Sequence, residues 1–279
     1  MTANIMSGKI LSEKIRHELK EKIIKEDTKP CLAVVLAGDN EASKIYVKNK
    51  LKAAEEALID TSLYLFEENV SQEDLENLIV KLNQDKTING IMVQLPLPKH
   101  IDEKKVLNLI LPAKDVDGFH PYNIGLLQNG DLGAVLAATP KGIIRLLEEH
   151  NIKFEGKNAI VIGRSQIVGK PIAMLLLNKN CTVTIAHSKT QNLKDLVSMA
   201  DIVVSACGCP NLIKGSWLKE GAIIADVGIN RINGKLCGDV DFEEAKEVAS
   251  YITPVPGGVG PMTIAMLLEN TYQAFLKQK

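Results

Sequence analysis

The sequence predicts an α/β protein with two α/β domains, on three observations. Short apolar runs alternate with segments whose apolar residues recur at helical spacing. This alternation is typical of parallel sheets covered by helices. It occurs twice, in residues 1–118 and in residues 139–261, and 279 residues suffice for two modest domains. We therefore expect two α/β domains joined by a hinge near residues 118–139, with the final helix, 262–279, packing back on the first.

The first domain is expected to begin with a helix and to continue as strand and helix in turn. Ser71 and Asp74 have the spacing of a capping box, which predicts a helix start. The predicted strands are residues 31–37, 61–66 and 90–95. The predicted helices carry the stripes Leu11, Ile15, Leu19 and Ile23; Val47, Leu51, Ala54 and Leu58; and Leu75, Leu78, Ile79 and Leu82.

The second series follows a stretch, residues 112–138, that is expected to be mostly loop. Thr139 and Pro140 suit the N-cap and first position of a helix that ends near His150. The final helix is predicted over residues 262–277. Between these two helices, the predicted strands are residues 159–162, 182–186, 201–206, 222–227 and 251–253, with a helix over residues 167–177.

Composition excludes several classes of function. The net charge is −1, so bulk charge favours neither a nucleic-acid partner nor a membrane surface. The five cysteines include no Cys-x-x-Cys pair, so neither a zinc site nor a disulfide framework is indicated. The apolar segment 248–268 is interrupted by prolines and glycines that a membrane-spanning helix would not accommodate. We expect a cytoplasmic protein without a resident metal.

A glycine-containing loop, residues 163–171, follows a predicted strand and opens a predicted helix. Gly163 and Gly169 fill two of the three usual glycine positions of a Rossmann-type dinucleotide fingerprint, and Ser165 takes the middle one. Backbone N–H groups at a helix start suit a pyrophosphate. A tight turn without a ligand explains the same residues equally well.

The end of the next strand bears on the choice of cofactor. An NAD site usually places an acid there for the ribose 2′-hydroxyl, but this chain has Ala186 to Lys189, including Ser188, and no acid. Arg164 adds a cation in the glycine loop. This pattern favours a 2′-phosphate and hence NADP, unless Arg164 and Lys189 are merely solvated charges.

Tyr46 and Lys50 are one helical turn apart, on a face beside the core stripe. Lys50 is a candidate base, although Lys44, Lys48 and Lys52 nearby leave open that it is another solvated lysine. Short-chain dehydrogenases also use Tyr-x-x-x-Lys, but there the pair follows the glycine loop, whereas here it precedes it.

Other candidates lie at predicted strand ends and in the hinge. Gln94 ends a strand, where ligand-binding residues of parallel sheets are found. Asp115 and Asp117 could meet a ligand in a cleft or serve only turn chemistry. The glycine-rich loop 256–261 permits close approach of a ligand, or is a simple tight turn.

Six motifs in this order resemble the bifunctional methylenetetrahydrofolate dehydrogenase/methenyltetrahydrofolate cyclohydrolase family, over essentially the whole chain. Each motif alone is weak, and the ordered set is specific. They are Ser43-x-x-Tyr46-Val47-x-x-Lys50, Gln94-Leu95-Pro96-Leu97-Pro98, Lys114-Asp115-Val116-Asp117-Gly118, Gly163-Arg164-Ser165-x-x-Val168-Gly169-x-Pro171, Asp226-Val227-Gly228-Ile229-Asn230 and Pro254-Val255-Pro256-Gly257-Gly258-Val259-Gly260-Pro261-Met262-Thr263.

The resemblance implies oxidation of 5,10-methylenetetrahydrofolate with NADP, followed by hydrolysis to 10-formyltetrahydrofolate, in a cleft between an N-terminal folate-binding catalytic domain and a Rossmann-type domain. It implies that Lys50 is the acid/base, that Gln94 orients it and biases it toward neutrality, that Tyr46 positions folate and that Asp117 holds the pterin edge. The implied cofactor contacts are Gly163, Arg164, Ser165, Ser188 and Ile229. The implied folate contacts are Tyr46, Lys50, Gln94, Leu95, Pro96, Asp117, Pro256, Gly257 and Gly258.

The resemblance also implies a homodimer formed through the nucleotide domain. The chain departs from the family pattern at Ala137-Ala138 and at Cys207 and Cys209. Two other interpretations remain open from sequence: a different NADP-dependent dehydrogenase with a small substrate domain, such as a shikimate-type enzyme, and a non-catalytic NADP-binding module.

Overall fold

A computed structural model describes residues 2–279. These residues form two compact units. The six-stranded unit contains the chain up to Ser12 together with Thr139–Thr263, and the three-stranded unit contains Glu13–Ala138 together with Ile264–Lys279. Both units are α/β, which confirms the predicted fold class.

The elements alternate along most of the chain. In chain order they are β1 (Asn4–Ile5), α1 (Gly8–Ile23), β2 (Cys31–Ala37), α2 (Glu41–Glu56), β3 (Asp60–Phe66), α3 (Gln72–Gln84), β4 (Gly90–Val93), α4 (Glu103–Leu109), α5 (Pro121–Gln128), α6 (Ala138–Glu149), β5 (Asn158–Ile162), α7 (Gly169–Asn178), β6 (Thr182–Ala186), α8 (Leu193–Ser198), β7 (Ile202–Ser205), a 3₁₀ turn (Gly215–Trp217), β8 (Ile223–Asp226), β9 (Asn230–Ile232), β10 (Lys235–Cys237), α9 (Phe242–Ala245), β11 (Tyr251–Ile252) and α10 (Val259–Lys277).

The three-stranded unit has a parallel sheet in the order β3-β2-β4. The central strand, β2, is almost wholly buried, which explains its uninterrupted apolar sequence. Ser71 is the N-cap of α3, as the predicted capping box requires, because the Asp74 N–H donates to Ser71 Oγ at 3.0 Å; the Asp74 carboxylate accepts from the Ser71 hydroxyl. The predicted stripe of α1 is buried along its whole length, at Leu11, Ile15, Leu19 and Ile23.

One prediction for this unit was wrong and another was incomplete. Leu58 does not continue the stripe of α2, because the helix ends at Glu56 and Leu58 has a φ of 61°. The stretch predicted as loop contains α5, which begins at Pro121 after His120 accepts a hydrogen bond from the Tyr122 N–H at its Nδ1. Proline at the first helical position was the available signal.

The six-stranded unit has an all-parallel sheet in the order β1-β11-β8-β7-β5-β6. The strand order reverses at β5, whose neighbours are β6 on one side and β7 on the other. The carboxyl edge beside such a reversal is where ligands bind in open α/β sheets. The sequence placed residues 1–118 in one domain, but β1 belongs here, because Asn4 and Ile5 pair with β11. Two residues are too short a run to show strand periodicity.

Other element boundaries also differ from prediction. Helix α6 begins at Ala138, so Thr139 lies in its first turn, where its hydroxyl lies 2.8 Å from that of Thr263. Helix α10 begins at Val259, three residues before the predicted start. The antiparallel hairpin of β9 and β10 was not predicted. Among residues 2–279, no helix is both long and apolar enough to cross a membrane.

Candidate active site

The Lys50 amine contacts two side chains, one from β4 and one from the residue directly after β4. Side chains alternate between the faces of a strand, so Met92 and Gln94 lie on the same face. The Lys50 Nζ lies 3.1 Å from Gln94 Oε1 and 3.2 Å from Met92 Sδ. The structure therefore excludes the interpretation of Lys50 as another solvated lysine.

The environment of Lys50 favours its neutral form. Burial lowers the pKa of the Lys50 ammonium, and the nearby Asp117 carboxylate partly opposes that shift. A neutral amine has two N–H groups and one lone pair. Two acceptors are present, Gln94 Oε1 and Met92 Sδ, so they can satisfy both N–H groups and leave the lone pair to accept a proton.

The Gln94 side chain has its orientation set by the loop that it begins. Its Nε2 donates to the Leu95 carbonyl at 2.7 Å, and its backbone N–H donates to the Val35 carbonyl at 2.8 Å. The amide oxygen is thereby directed at Lys50. The next peptide bond, Leu95-Pro96, is cis.

Tyr46 lies one turn before Lys50 on α2, and 39% of it is exposed. Partial burial raises the pKa of its phenol. An exposed ring beside a buried amine can pack against a flat ligand while the hydroxyl stays protonated.

The loop after the bridge between Ile91 and Asp115 presents a carboxylate. The buried Asp115 carboxylate accepts hydrogen bonds from four groups that follow it in the chain. Gly118, with a φ of 72°, lets this loop turn against the backbone at Ala137. Asp117 is half-buried, and burial raises its pKa to about 7, although Lys50 acts in the opposite direction. Asp115 therefore holds the turn, and Asp117 has no donor of this kind among the described residues.

The glycine loop after β5 packs closely at both of its glycines. A Cβ on Gly163 would overlap the Ala206 carbonyl oxygen, and one on Gly169 would overlap the Gly163 carbonyl. The Ser165 Oγ accepts from the N–H groups of Val168 and Gly169, at 3.1 and 3.2 Å. Ser165 thus shapes the helix start itself, a role that the fingerprint alone does not predict.

The loop after β6 is tied to itself by His187. Its backbone N–H donates to Thr190 Oγ1 at 2.9 Å, and its Nδ1 accepts from the Lys189 N–H at 3.2 Å. Ser188 and Lys189 are exposed, as is Arg164 in the glycine loop. Two cationic side chains and a hydroxyl are therefore exposed at the carboxyl ends of the neighbouring strands β5 and β6.

Two buried carboxylates to which the sequence analysis gave no role are Asp226, the last residue of β8, and Asp239, which follows β10. Asp226 accepts from the backbone N–H groups of Gly228, Asp239 and Val240, at 2.9 to 3.0 Å. Burial raises the pKa of Asp226 to about 6, against these hydrogen bonds. An aspartate that ends an apolar strand was the available signal, but a sequence does not show which loops will bond to it.

Asp239 gives Cys207 a structural role. The Cys207 N–H donates to Asp239 Oδ2 at 2.8 Å, and its thiol contacts the same oxygen at 3.4 Å. Burial and the Asp239 charge raise the pKa of this thiol to about 12. Cys207 therefore stays protonated.

The loop after β11 also lies at the carboxyl edge of the large sheet. Gly257 has a φ of 101°, and its carbonyl accepts from the Lys9 N–H at 3.0 Å. The Val255-Pro256 bond is cis. Gly258 packs against the backbone of Pro254, so a side chain there would overlap it.

The sequence-predicted site residues fall into two sets. Tyr46, Lys50, Gln94, Leu95, Pro96 and Asp117 belong to the three-stranded unit, where contacts or electrostatic interactions join Lys50 to Gln94 and Asp117. The second set follows strands β5, β6, β8 and β11 of the other unit, at the carboxyl edge of its sheet. It consists of Gly163, Arg164, Ser165, Ser188, Ile229, Pro256, Gly257 and Gly258.

Two family models match the chain. The tetrahydrofolate dehydrogenase/cyclohydrolase catalytic domain matches residues 6–117, and the NAD(P)-binding domain of the same family matches residues 137–279. The bifunctional protein FolD of Acetivibrio thermocellus is 54% identical over 278 residues, covering 98% of this chain and 97% of that protein.

Solved structures give the same result. The bifunctional FolD methylenetetrahydrofolate dehydrogenase/cyclohydrolase of Campylobacter jejuni is 50% identical with a TM-score of 0.98, covering 99% of this chain and 100% of that one. The Trypanosoma brucei FolD, complexed with NADP cofactor and inhibitor, is 38% identical with a TM-score of 0.95, covering 99% and 98%.

Proposed function

Because the chain belongs to the tetrahydrofolate dehydrogenase/cyclohydrolase family, we propose that it oxidises 5,10-methylenetetrahydrofolate with NADP and hydrolyses the product to 10-formyltetrahydrofolate. Identity near 50% over the whole chain with bifunctional relatives supports this function over a shikimate-type dehydrogenase or a non-catalytic module. The observation that carries the hydrolytic half is the contact of Lys50 with Gln94 and Met92.

The residues of the six-stranded unit fit NADP. Close packing at Gly163 leaves no room for a side chain, and the exposed Arg164 beside the β6 end provides a cation where an NAD site would have an acid. Gly163, Arg164, Ser165, Ser188 and Ile229 would hold the cofactor. NADP, when bound, supplies the acceptor for the hydride that leaves the methylene bridge.

Lys50 acts in the hydrolysis of the methenyl cation. Water attacks the cationic carbon and loses a proton, which the neutral Lys50 Nζ accepts. The same group then donates that proton to the ring nitrogen as the C–N bond breaks, while the hydroxyl of the water adduct releases its proton to solvent and becomes the formyl carbonyl. An ordinary lysine, with a pKa of about 10.4, would be protonated at neutral pH and unable to begin this sequence. Burial lowers the pKa of Lys50, which favours the neutral amine, and the Gln94 oxygen orients it.

Asp117 and Tyr46 bind the substrate in this proposal. The Asp117 carboxylate accepts from the amino and ring N–H groups of the pterin, as a charge-assisted acceptor. Tyr46 packs beside the folate. Leu95 and Pro96 line the folate site next to Gln94.

A homodimer formed through the nucleotide domain and a cytoplasmic location are also part of this proposal. The β9–β10 hairpin supports the first, because Ile232 and Leu236 on it are 41% and 38% exposed. Light scattering should give twice the chain mass of 30.4 kDa at micromolar concentration. A stable monomer would refute the dimer and leave the catalytic proposal intact.

Substitution of Lys50 by Met tests the catalytic assignment. A general acid/base contributes roughly 10²–10⁴-fold, so cyclohydrolase activity should fall by that factor while dehydrogenase activity remains measurable. Methenyltetrahydrofolate absorbance should then accumulate beside NADPH. Lys48→Met, on the same helix and exposed, is the matched control and should hydrolyse normally. Hydrolysis at the wild-type rate in Lys50→Met would reject Lys50 as the acid/base.

A further inference from the structure

We propose that Asp226 and Asp239 form a carboxylate clamp that holds Ile229 as a rigid contact for the nicotinamide cofactor. This inference rests on the proposed function, in which Ile229 touches NADP. Asp239 is fully buried and Asp226 nearly so, and neither touches a reacting atom in the proposed mechanism. In this proposal they are positioning residues.

The clamp grips the chain on both sides of Ile229. On one side, the Gly228 N–H donates to Asp226 Oδ1 at 2.9 Å. On the other, Asn230 Nδ2 donates to Asp239 Oδ1 at 2.9 Å. The Ile229 side chain between these two anchors is 52% exposed. An exposed apolar residue with both neighbours fixed has its position determined before any ligand arrives, so a ligand loses less by ordering it.

The Asp226 carboxylate is also bonded to the backbone of Asp239, and the Asp239 carboxylate is bonded to the neighbouring loop. The Asp239 N–H donates to Asp226 Oδ1 at 3.0 Å. Asp239 Oδ2 accepts from the N–H groups of Cys207 and Gly208, at 2.8 and 3.1 Å. The loop after β7 and the loop after β8 therefore share one anchor, and they cannot shift independently.

The two carboxylates are also closely packed against neighbouring glycines. A Cβ on Gly228 would overlap the Asp239 carboxylate, and one on Gly238 would overlap that of Asp226. Backbone N–H groups and an amide stabilise these buried carboxylates, so each charge depends on the loops being in place. Loss of one carboxylate oxygen leaves buried N–H donors without an acceptor and should loosen both loops.

Three variants test the clamp: Asp239→Asn, Ile229→Ala and the double variant. NADP affinity is measured by calorimetry, and KM for NADP is measured separately from kcat. Asp239→Asn should raise the Kd for NADP about tenfold with a smaller change in kcat, because the contact is misplaced rather than removed. The double variant should bind NADP no more weakly than Ile229→Ala, because the clamp acts through that side chain.

Controls keep a folding defect apart from a positioning effect. Hydrolysis of methenyltetrahydrofolate supplied directly, without NADP, reports whether Asp239→Asn is folded. Asn230→Ala removes only one clamp contact, leaves Asp239 bonded to the β7 loop, and should raise the Kd about threefold. Asp195→Asn, an exposed aspartate on α8, is the matched control and should bind NADP normally.

The outcomes separate this inference from the proposed function. Additive losses in the double variant, or a normal Kd in both Asp239→Asn and Asn230→Ala, would overturn the clamp while leaving the Ile229 contact in place. A normal Kd in Ile229→Ala would reject the cofactor contact itself, and the clamp with it. A double variant equal to Ile229→Ala, with loss in the single Asp239→Asn variant, supports both.

Discussion

Asp115 and Asp117 lie two residues apart in one loop, but only the Asp115 carboxylate accepts hydrogen bonds within the described part of the chain. Asp115 Oδ1 accepts from Gly118 and Phe119, and its Oδ2 accepts from His120 and from the Asn123 side chain. Asp117 is half-buried beside Lys50 without such donors. The two aspartates should therefore respond to the same substitution with opposite signs.

Asp117→Asn should stabilise the free protein above neutral pH. The pKa of Asp117 is raised to about 7, so the native state holds a proton that the unfolded state releases near pH 4. The stability that this proton contributes is present below pH 4 and is lost as pH rises from about 4 to 7. About three pKa units correspond to about 4 kcal/mol, and solvent screening of this half-buried group reduces that, so removing the carboxylate should raise the free energy of unfolding by about 2 kcal/mol at pH 8. Urea unfolding at pH 8 and pH 4 checks this, and equal stability of both proteins at pH 8 would contradict it.

The same variant should lose folate binding. A carboxamide presents only one acceptor oxygen and no charge to the pterin, so KM for folate should rise in both activities. Normal Michaelis constants would show that Asp117 serves only the loop.

Asp115→Asn should destabilise the protein instead. In the variant, an amide nitrogen would replace a carboxylate oxygen that accepts from N–H groups in the native protein. A buried donor left without an acceptor costs about 1–3 kcal/mol. We expect a loss of about 2–3 kcal/mol in urea unfolding. Asp131→Asn, an exposed turn aspartate that accepts from the Gly133 N–H, is the control and should lose under about 0.5 kcal/mol. Equal losses in the two variants would argue against the special role of Asp115.

Gln94→Glu should move the pH dependence of the cyclohydrolase. A carboxylate about 3 Å from Lys50 Nζ favours the ammonium, so the pKa of Lys50 rises. The acid limb of the pH–rate profile should then shift to higher pH, with little activity at neutral pH. Gln84→Glu, the same change at an exposed position on α3, should leave the profile unchanged. An unshifted profile in Gln94→Glu would mean that Gln94 does not set the protonation of Lys50.

Arg164→Ala should weaken NADP far more than NAD. A charge-assisted hydrogen bond to a phosphate is worth roughly 1.5–3 kcal/mol, so KM for NADP should rise about 10- to 100-fold. Lys153→Ala removes an exposed cation before the start of β5, at the opposite edge of the sheet, and should change neither cofactor. Equal losses for NADP and NAD in Arg164→Ala would reject the 2′-phosphate assignment.

The sequence by itself determined the fold class and most strands, because strand and helix periodicity are local properties. Strands β2 and β6 have the predicted bounds, and the stripe of α1 is buried as predicted. It also determined the family, since six ordered motifs are specific where each alone is not. The two-residue strand β1 was not predicted, because its pairing depends on a strand almost 250 residues away.

Tertiary structure decided what individual polar residues do. Lys50 differs from Lys48 and Lys52 only because Met92 and Gln94, more than 40 residues later, reach its amine. Sequence spacing does not distinguish Asp115 from Asp117, and only the folded loop gives Asp115 its four donors and leaves Asp117 without them. No local sequence pattern predicted that Asp239 is a buried, hydrogen-bonded carboxylate. Burial, and the pKa that follows from it, depends on which distant segments exclude water from a group, and local sequence does not contain that information.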